Sequence, residues 1–424
     1  MTKPSICLYF HVHQPTRLNR HSVFDKSHRS KNNPMDAYFD HNLDKFYFQK
    51  IAKQCYLPAN KIISELIEES DGKFKVSFSI TGVWIEQCKK YAPEVLESFK
   101  KLVKTGSVEI VDETYYHSLS SLWWDQAEFK NQVKKHSDLI TETFGGQAPK
   151  TFRNTELLVN DNIISNVDSI GRYTGMLAEG IERVLGWRSP NYIYSHKNNS
   201  VKMLFRNYRL SDDIGFRFSD RGWKQWPLTA DKYVDWLNNS EGQTINLFMD
   251  YETFGEHHWP GSGIMEFLYW FAKKSTENGL EFKTTSQTVQ SYKPISSVEI
   301  NGTVSWADME RDASAWLGNK IQDYAFSTYW ELENGANELG GNYLDAWRTL
   351  GVSDHYMYLC LKSWSDGDVH KHFSPYKDWT PYDNFINYMN ILSDLSRRMN
   401  EQLDKPKIET TIKMPTFPAI PEIN

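Results

Sequence analysis

Seven short apolar runs in the first 250 residues constrain this chain most, because each stops abruptly at polar or aromatic residues. The clearest is Ile245-Asn246-Leu247-Phe248-Met249, followed at once by Asp250-Tyr251-Glu252-Thr253-Phe254-Gly255. The chain opens in the same way, with Ile6-Cys7-Leu8-Tyr9-Phe10 running into His11-Val12-His13-Gln14-Pro15. Predominantly apolar runs of this length fit strands buried on both faces, as in a parallel sheet. Reactive residues just past the C-terminal ends of such strands are how a β/α barrel presents an active site. A core has no use for a carboxylate at a strand tip, since burying an unpaired charge is costly. The pattern predicts an enzyme.

The runs fall at 5–10, 74–81, 107–111, 150–153, 173–178, 203–209 and 244–249, with helical stretches between them. Asn60 to Ile67 carries apolar residues at spacings of three and four, Pro93 opens a helix, and Asp125 to Phe144 makes another. Strand–helix alternation of this kind predicts an α/β fold, a distorted TIM-like (β/α)7 barrel of seven strands over residues 1–300. A doubly wound open sheet is the alternative. It usually carries a Gly-rich loop after its first strand, and the segment His11–Pro15 is nothing like one. Residues 301–424 predict a C-terminal α-helical domain packed on the barrel and contributing to the cleft. Its helices are expected at Ala313–Leu332, Tyr343–Leu350, Asp354–Lys362 and from Thr380-Pro381-Tyr382-Asp383 to about Leu403, with an extended, proline-bearing tail from Lys405.

A net charge of −6 without a dense Lys/Arg block argues against nucleic acid or an anionic membrane as partner. No run approaches the length of a transmembrane helix, and the first apolar run is too short for a signal sequence. The four cysteines are widely spaced, with no C-x-x-C pair, and read as reduced thiols. A soluble, cytoplasmic protein is expected, of open oligomeric state. The aromatic content is unusual: 15 Trp, 23 Tyr and 23 Phe, or 14% of the chain. These rings either line a cleft for an amphipathic ligand such as a sugar or fill a Trp-rich core.

Asp250 and Glu252, two apart on extended chain, should point to the same side. The competing reading is a helix cap or an ion pair. Glu156 follows Thr151-Phe152-Arg153, where a helix-opening Glu is also common for dipole reasons alone. Together such carboxylates supply what glycoside hydrolysis demands, one ionised nucleophile and one protonated acid with a raised pKa. His11 and His13 could bind a metal, with His117, Asp212 or His257 as third ligand, or could hold sugar hydroxyls. There is no second paired-His motif, which favours hydroxyl contacts. The second run ends in Thr81-Gly82-Val83-Trp84-Ile85-Glu86-Gln87 and the third in Asp112-Glu113-Thr114-Tyr115-Tyr116-His117. Each alone could be loop packing; four strands ending this way point to a site.

Five ordered segments resemble the signature regions of glycoside hydrolase family 57: His13-Gln14-Pro15, Glu113 to Leu119, Phe152 to Glu156, Met249 to Gly255 and Ala315-Trp316-Leu317-Gly318-Asn319. Ser353-Asp354-His355 and Ser365-Asp366-Gly367-Asp368-Val369-His370 resemble its α-amylase-type branch. The resemblance covers almost the whole chain. It implies a seven-stranded barrel with a helical C-terminal domain, a retaining mechanism on α-glucans or maltooligosaccharides, and neither catalytic metal nor cofactor. It also implies Glu156 as nucleophile and Asp250 as acid/base. The candidates for substrate contact are His11, His13, Trp84, Glu86, His117, Arg153, Glu252, His257, Trp259, Trp316, Asp354 and His355. One departure stands out: Tyr251 occupies a position where many members have Gly, and its ring is expected to narrow the site beside the acid.

The leading expectation is an α-amylase-like hydrolase acting on glycogen, starch-like chains or maltodextrins. A 4-α-glucanotransferase or a branching enzyme would use the same carboxylates, and a non-catalytic glucan-binding protein would keep the aromatics and lose the carboxylates. A metal-dependent barrel hydrolase is a more distant reading.

Overall fold

A computed structural model describes residues 3–22, 24, 32–362 and 374–404. The segment Ser365–His370 and the tail from Lys405, both singled out in the sequence, lie outside the described residues.

All seven expected strands are present, and they pair in parallel. β1 (Ser5–Val12), β2 (Val76–Ile80), β3 (Val108–Ile110) and β8 (Thr244–Asp250) form one sheet in the order β3-β2-β1-β8. β4 (Thr151–Phe152), β5 (Gly175–Glu179) and β7 (Lys202–Arg206) belong to a second, continued by β6 (Ile193–His196) and β9 (Ser297–Val298) in the order β4-β5-β7-β6-β9. β1, β2 and β5 are buried along their whole length, as two-faced parallel strands should be. Backbone bonds stitch the sheets together at both seams. At one, Arg153 N–H donates to the Asp112 carbonyl at 2.8 Å and Asp112 N–H to that of Thr151 at 3.0 Å. At the other, Asn207 N–H donates to the Asn246 carbonyl at 2.9 Å, and the Asn246 side-chain amide adds a bond to the Phe205 carbonyl at 2.8 Å. The seven parallel strands thus run in chain order around a distorted ring, consistent with a (β/α)7 barrel though without one continuous ladder.

Two differences from expectation have local causes. β6, unanticipated, is antiparallel to β7, and the two flank the polar turn Lys197-Asn198-Asn199-Ser200. The expected helix Ala313–Leu332 is instead a 3₁₀ turn, Ala313–Ala315, followed by a helix over Lys320–Glu331. The break falls at Gly318-Asn319. Asn319 is extended and its side chain caps the new helix by accepting from the N–H groups of Ile321 and Gln322. A Cβ at Gly318 would meet the Ser314 carbonyl oxygen at 2.1 Å. Further helices follow at Glu333–Leu339, Gly341–Leu350, Ser353–Met357 and Pro381–Leu403. The short Ser353–Met357 helix replaces the longer one expected to Lys362. The last has the expected Thr380 cap, in a reciprocal box with Asp383. The core of these helices also takes in Tyr38, Phe39, Leu119 and Leu158 from earlier in the chain. Among the described residues no helix is long and apolar enough to cross a membrane, and all four cysteines are free and buried.

Candidate active site

Strand register brings the first groups together: on adjacent strands β1 and β8, His11 lies opposite Asp250. The His11 Nδ1 atom is 3.4 Å from Asp250 Oδ1, and its Nε2 is 3.4 Å from Glu113 Oε2. Glu113, past the end of β3, has its side chain wholly shielded from solvent. Burial pushes its carboxyl up, but His11, His117 and Arg153 face it and hold it well below the usual carboxylate range. The His117 ring packs against those of His11 and His13, at centroid distances of 4.7 and 4.1 Å. Burial alone would lower its pKa. Glu156 and Glu113, near its two ring nitrogens, raise it instead to about 9, so His117 is an imidazolium at neutral pH.

Glu156 follows β4 in a 3₁₀ turn and adopts a left-handed backbone (φ 55°), as does Leu157 (φ 50°). Such conformations are uncommon for these residue types and concentrate at functional sites. Its carboxylate takes three donors. Oε1 accepts from the His117 Nε2–H at 3.1 Å and the Ser353 hydroxyl at 3.0 Å, and Oε2 accepts from the Trp306 indole N–H at 2.9 Å. Burial opposes ionisation, but the charge and hydrogen bond of His117, with Arg153 and Trp306, outweigh it and hold Glu156 far below the ordinary range. This is an ionised, oriented carboxylate.

Asp250 also departs from an acid's profile. Desolvation pushes it up, yet the hydrogen bond and charge of His11 and the nearby His257 hold it below the usual value. The carboxyl with a raised pKa is Glu252, driven to about 8 by burial and by Asp250. Glu252 does not share a side with Asp250. Tyr251–Thr253 turn as a 3₁₀ helix, and Glu252 accepts from the Tyr56 hydroxyl at 2.5 Å, away from the cavity. Tyr251 likewise points into the core, where it donates to Asn60 at 2.7 Å and packs on Phe10 and Phe78. It does not narrow the site.

Glu156, Asp250, His257, Trp306, Arg206 and Arg311 are among the groups that line one cavity of about 1020 Å³, a size suited to an organic ligand. The other expected residues divide. His11, His117 and Arg153 stand behind the two carboxylates. The Arg153 guanidinium, fully buried, lies 4.8 Å from the Trp306 ring and 3.6 Å from Glu113. Asp354 pairs with His13 at 3.2 Å. Besides Glu252, five expected contacts are corrected. Trp84 is buried in the barrel core against Phe48, Tyr56 and Phe99, and Trp316 is buried among the C-terminal helices with Trp347 and Tyr356. His355 bridges the carbonyls of Leu350 and Thr16, and Glu86 accepts from the Tyr115 hydroxyl on an exposed helix face. Trp259 is 72% exposed and does not line this cavity.

Two groups have atoms close enough to share an ion, His11/Glu113/His117 and His13/His117/Asp354. Neither includes Asp212 or His257. Both share His117, whose two ring nitrogens also face Glu156 and Glu113. Sequence reasoning passed over Trp306 and the buried network in which Arg206 and Arg311 each bind both Glu179 and Asp212, at 2.5–3.0 Å. Glu179 and Arg206 end β5 and β7, so the strand-tip rule that found Asp250 also reaches them.

The sequence matches the model of glycosyl hydrolase family 57 over residues 7–301. A relative from Methanocaldococcus jannaschii, provisionally named an alpha-amylase, is 44% identical over 95% of this chain and 86% of its own. Among solved structures, a branching enzyme from Thermococcus kodakaraensis superposes with a TM-score of 0.66 at 12% identity, covering 94% of this chain and 95% of that one. An alpha-amylase from Thermotoga maritima gives 0.58 at 13% identity, covering 94% and 96%. A 4-alpha-glucanotransferase from Thermococcus litoralis gives 0.54 at 16%, covering 88% of this chain and 55% of that one. At these identities the structural likeness is one of fold.

Proposed function

The chain belongs to glycosyl hydrolase family 57, and from that premise we propose that it cleaves α-1,4-glucosidic bonds in glycogen, starch-like glucans or maltodextrins with retention. The observation that carries this reading is the triply held, ionised Glu156 facing the same cavity as Asp250. In the proposed cycle Glu156 attacks the anomeric carbon while Asp250 protonates the leaving oxygen, giving a glycosyl ester. Asp250 then takes a proton from the water that hydrolyses the ester. Asp250 is ionised in the free protein and must gain its proton as the substrate enters. Sugar filling the cavity strips water from its partly exposed side chain (39%), which favours the neutral acid. The name of the relative at 44% identity supports an amylase-type substrate. The free, buried thiols support a reducing compartment, and hence a cytoplasmic location.

A 4-α-glucanotransferase or branching activity is the second reading. Phe216 and Met309 line the cavity with apolar side chains 63% and 77% exposed, where an acceptor sugar could sit and intercept the ester. The product profile on maltoheptaose separates the two, since shorter chains alone mean hydrolysis and longer chains as well mean transfer. Glu156→Gln and Asp250→Asn should each lower kcat by at least about 10³-fold with the fold intact. Near wild-type rates in either, with circular dichroism unchanged, would remove that carboxylate from the chemistry.

A further inference from the structure

Among the described residues, five tryptophans stand among the exposed large apolar side chains, and three of them, Trp226, Trp259 and Trp270, fall within one stretch of sequence. Trp226 and Trp270, 43% and 46% exposed, line a second cavity of about 480 Å³. It lies where Pro227–Asp231, at the start of the helix Ala230–Asn238, faces the helix Ile264–Glu277. The two helices pack against each other through Tyr233 and Phe271, 5.5 Å between ring centroids, so the floor is fixed by core contacts. Asp231, Glu266 and Lys274 complete the lining, with Lys274 paired to Asp231 and 5.8 Å from the Trp270 ring.

The two cavities adjoin along the same two chain segments. Gly215–Arg217 line the catalytic cavity and Phe218 lines the outer groove, while His257 and His258 line the former and Ser262 and Gly263 the latter. The Phe218 ring lies 5.6 Å from that of His258, so a single layer of side chains divides them. Trp259, 72% exposed, sits on the segment between.

The geometry points to a second carbohydrate-binding groove, in which Trp226 and Trp270 hold a stretch of α-glucan chain outside the catalytic cavity. The inference rests on the α-glucan reading above. Its chemistry is that of an amphipathic ligand. Exposed indole faces leave apolar area in water that a hexose ring face can cover, and the flanking carboxylates and ammonium can bond the hydroxyls on its edge. The carboxylates of Asp231 and Glu266 disfavour a phosphate backbone. A flat protein partner would bury the Glu266 carboxylate on this rim, which is costly unless the partner pairs it. The catalytic cavity next to the groove gives it an occupant already at hand, the remainder of a chain whose end or middle lies between Glu156 and Asp250. It would act on long substrates and be indifferent to short ones.

The test compares wild type, Trp270→Ala, Trp270→Tyr and, as a control elsewhere on the surface, Trp124→Ala. Each is run through native gels containing amylose and assayed on amylose and on maltotetraose. Trp270 is on a helix surface, so alanine there is compatible with folding. Trp270→Ala should lose most of its retardation by amylose and show KM for amylose raised at least about fivefold, with maltotetraose turnover unchanged. Trp270→Tyr should restore much of the loss, and Trp124→Ala should match wild type. Retardation and amylose KM unchanged in Trp270→Ala would overturn the groove while leaving the catalytic reading standing. Trp270-dependent retardation in a protein that turns over neither glucan would do the reverse.

Discussion

Glu156 owes its charge to three donors and its position to an uncommon backbone conformation, and only part of this could be read from the sequence. The strand-tip rule reached Glu156, Asp250 and His257 because strand ends are local features. Trp306 and Ser353 approach Glu156 from 150 and 197 positions away, and no local spacing encodes that. The same limit explains the misplacement of Glu252, whose i, i+2 relation to Asp250 implied a shared face only on extended chain. The Trp306 indole N–H has a measurable role if Glu156 must stay ionised and aimed. Trp306→Phe keeps the ring beside Arg153 and removes a hydrogen bond to a charged group, worth about 1.5–3 kcal/mol. The expected loss in kcat/KM is therefore roughly 10- to 100-fold. A value within twofold of wild type would show that the bond does not orient the nucleophile.

At the scale of elements, apolar runs identified the strands well because parallel strands buried on both faces have little choice of composition. β4 was the faintest, with two residues, and its place is set by the seam bonds of Asp112 and Arg153. The β6–β7 hairpin gives a weak signal because β6, Ile193-Tyr194-Ser195-His196, is only four residues long and half polar, although its Asn-Asn-Ser turn is a hairpin mark. Trp316 shows what pattern cannot settle. An aromatic in a signature segment was equally consistent with cleft or core, and Trp316, which follows the 3₁₀ turn Ala313–Ala315, is buried. Trp316→Ala should therefore cost about 3–5 kcal/mol of stability, with normal specific activity in the folded fraction. A variant that melts like wild type yet turns over oligosaccharide poorly would return Trp316 to the site.

Across the whole molecule, the candidate site is assembled from both ends of the chain. Barrel strands supply Asp250, His11 and the turn bearing Glu156, and segments beyond residue 300 supply Trp306, Ser353 and Asp354. The three stacked histidines are surrounded by Glu113, Glu156, Asp250 and Asp354, and their proposed task is to fix charge and geometry around the carboxylates. Dialysis against EDTA should accordingly leave activity unchanged. Loss restored by zinc would assign one of the His/carboxylate groups to an ion instead. The central claim is that Glu156 and Asp250 act as nucleophile and acid/base on an α-glucan. Proton NMR of the first products from maltoheptaose tests it most directly, by reading the anomeric configuration before mutarotation. The account predicts the α-anomer first. Initial release of the β-anomer would mean inversion and contradict a covalent intermediate on Glu156.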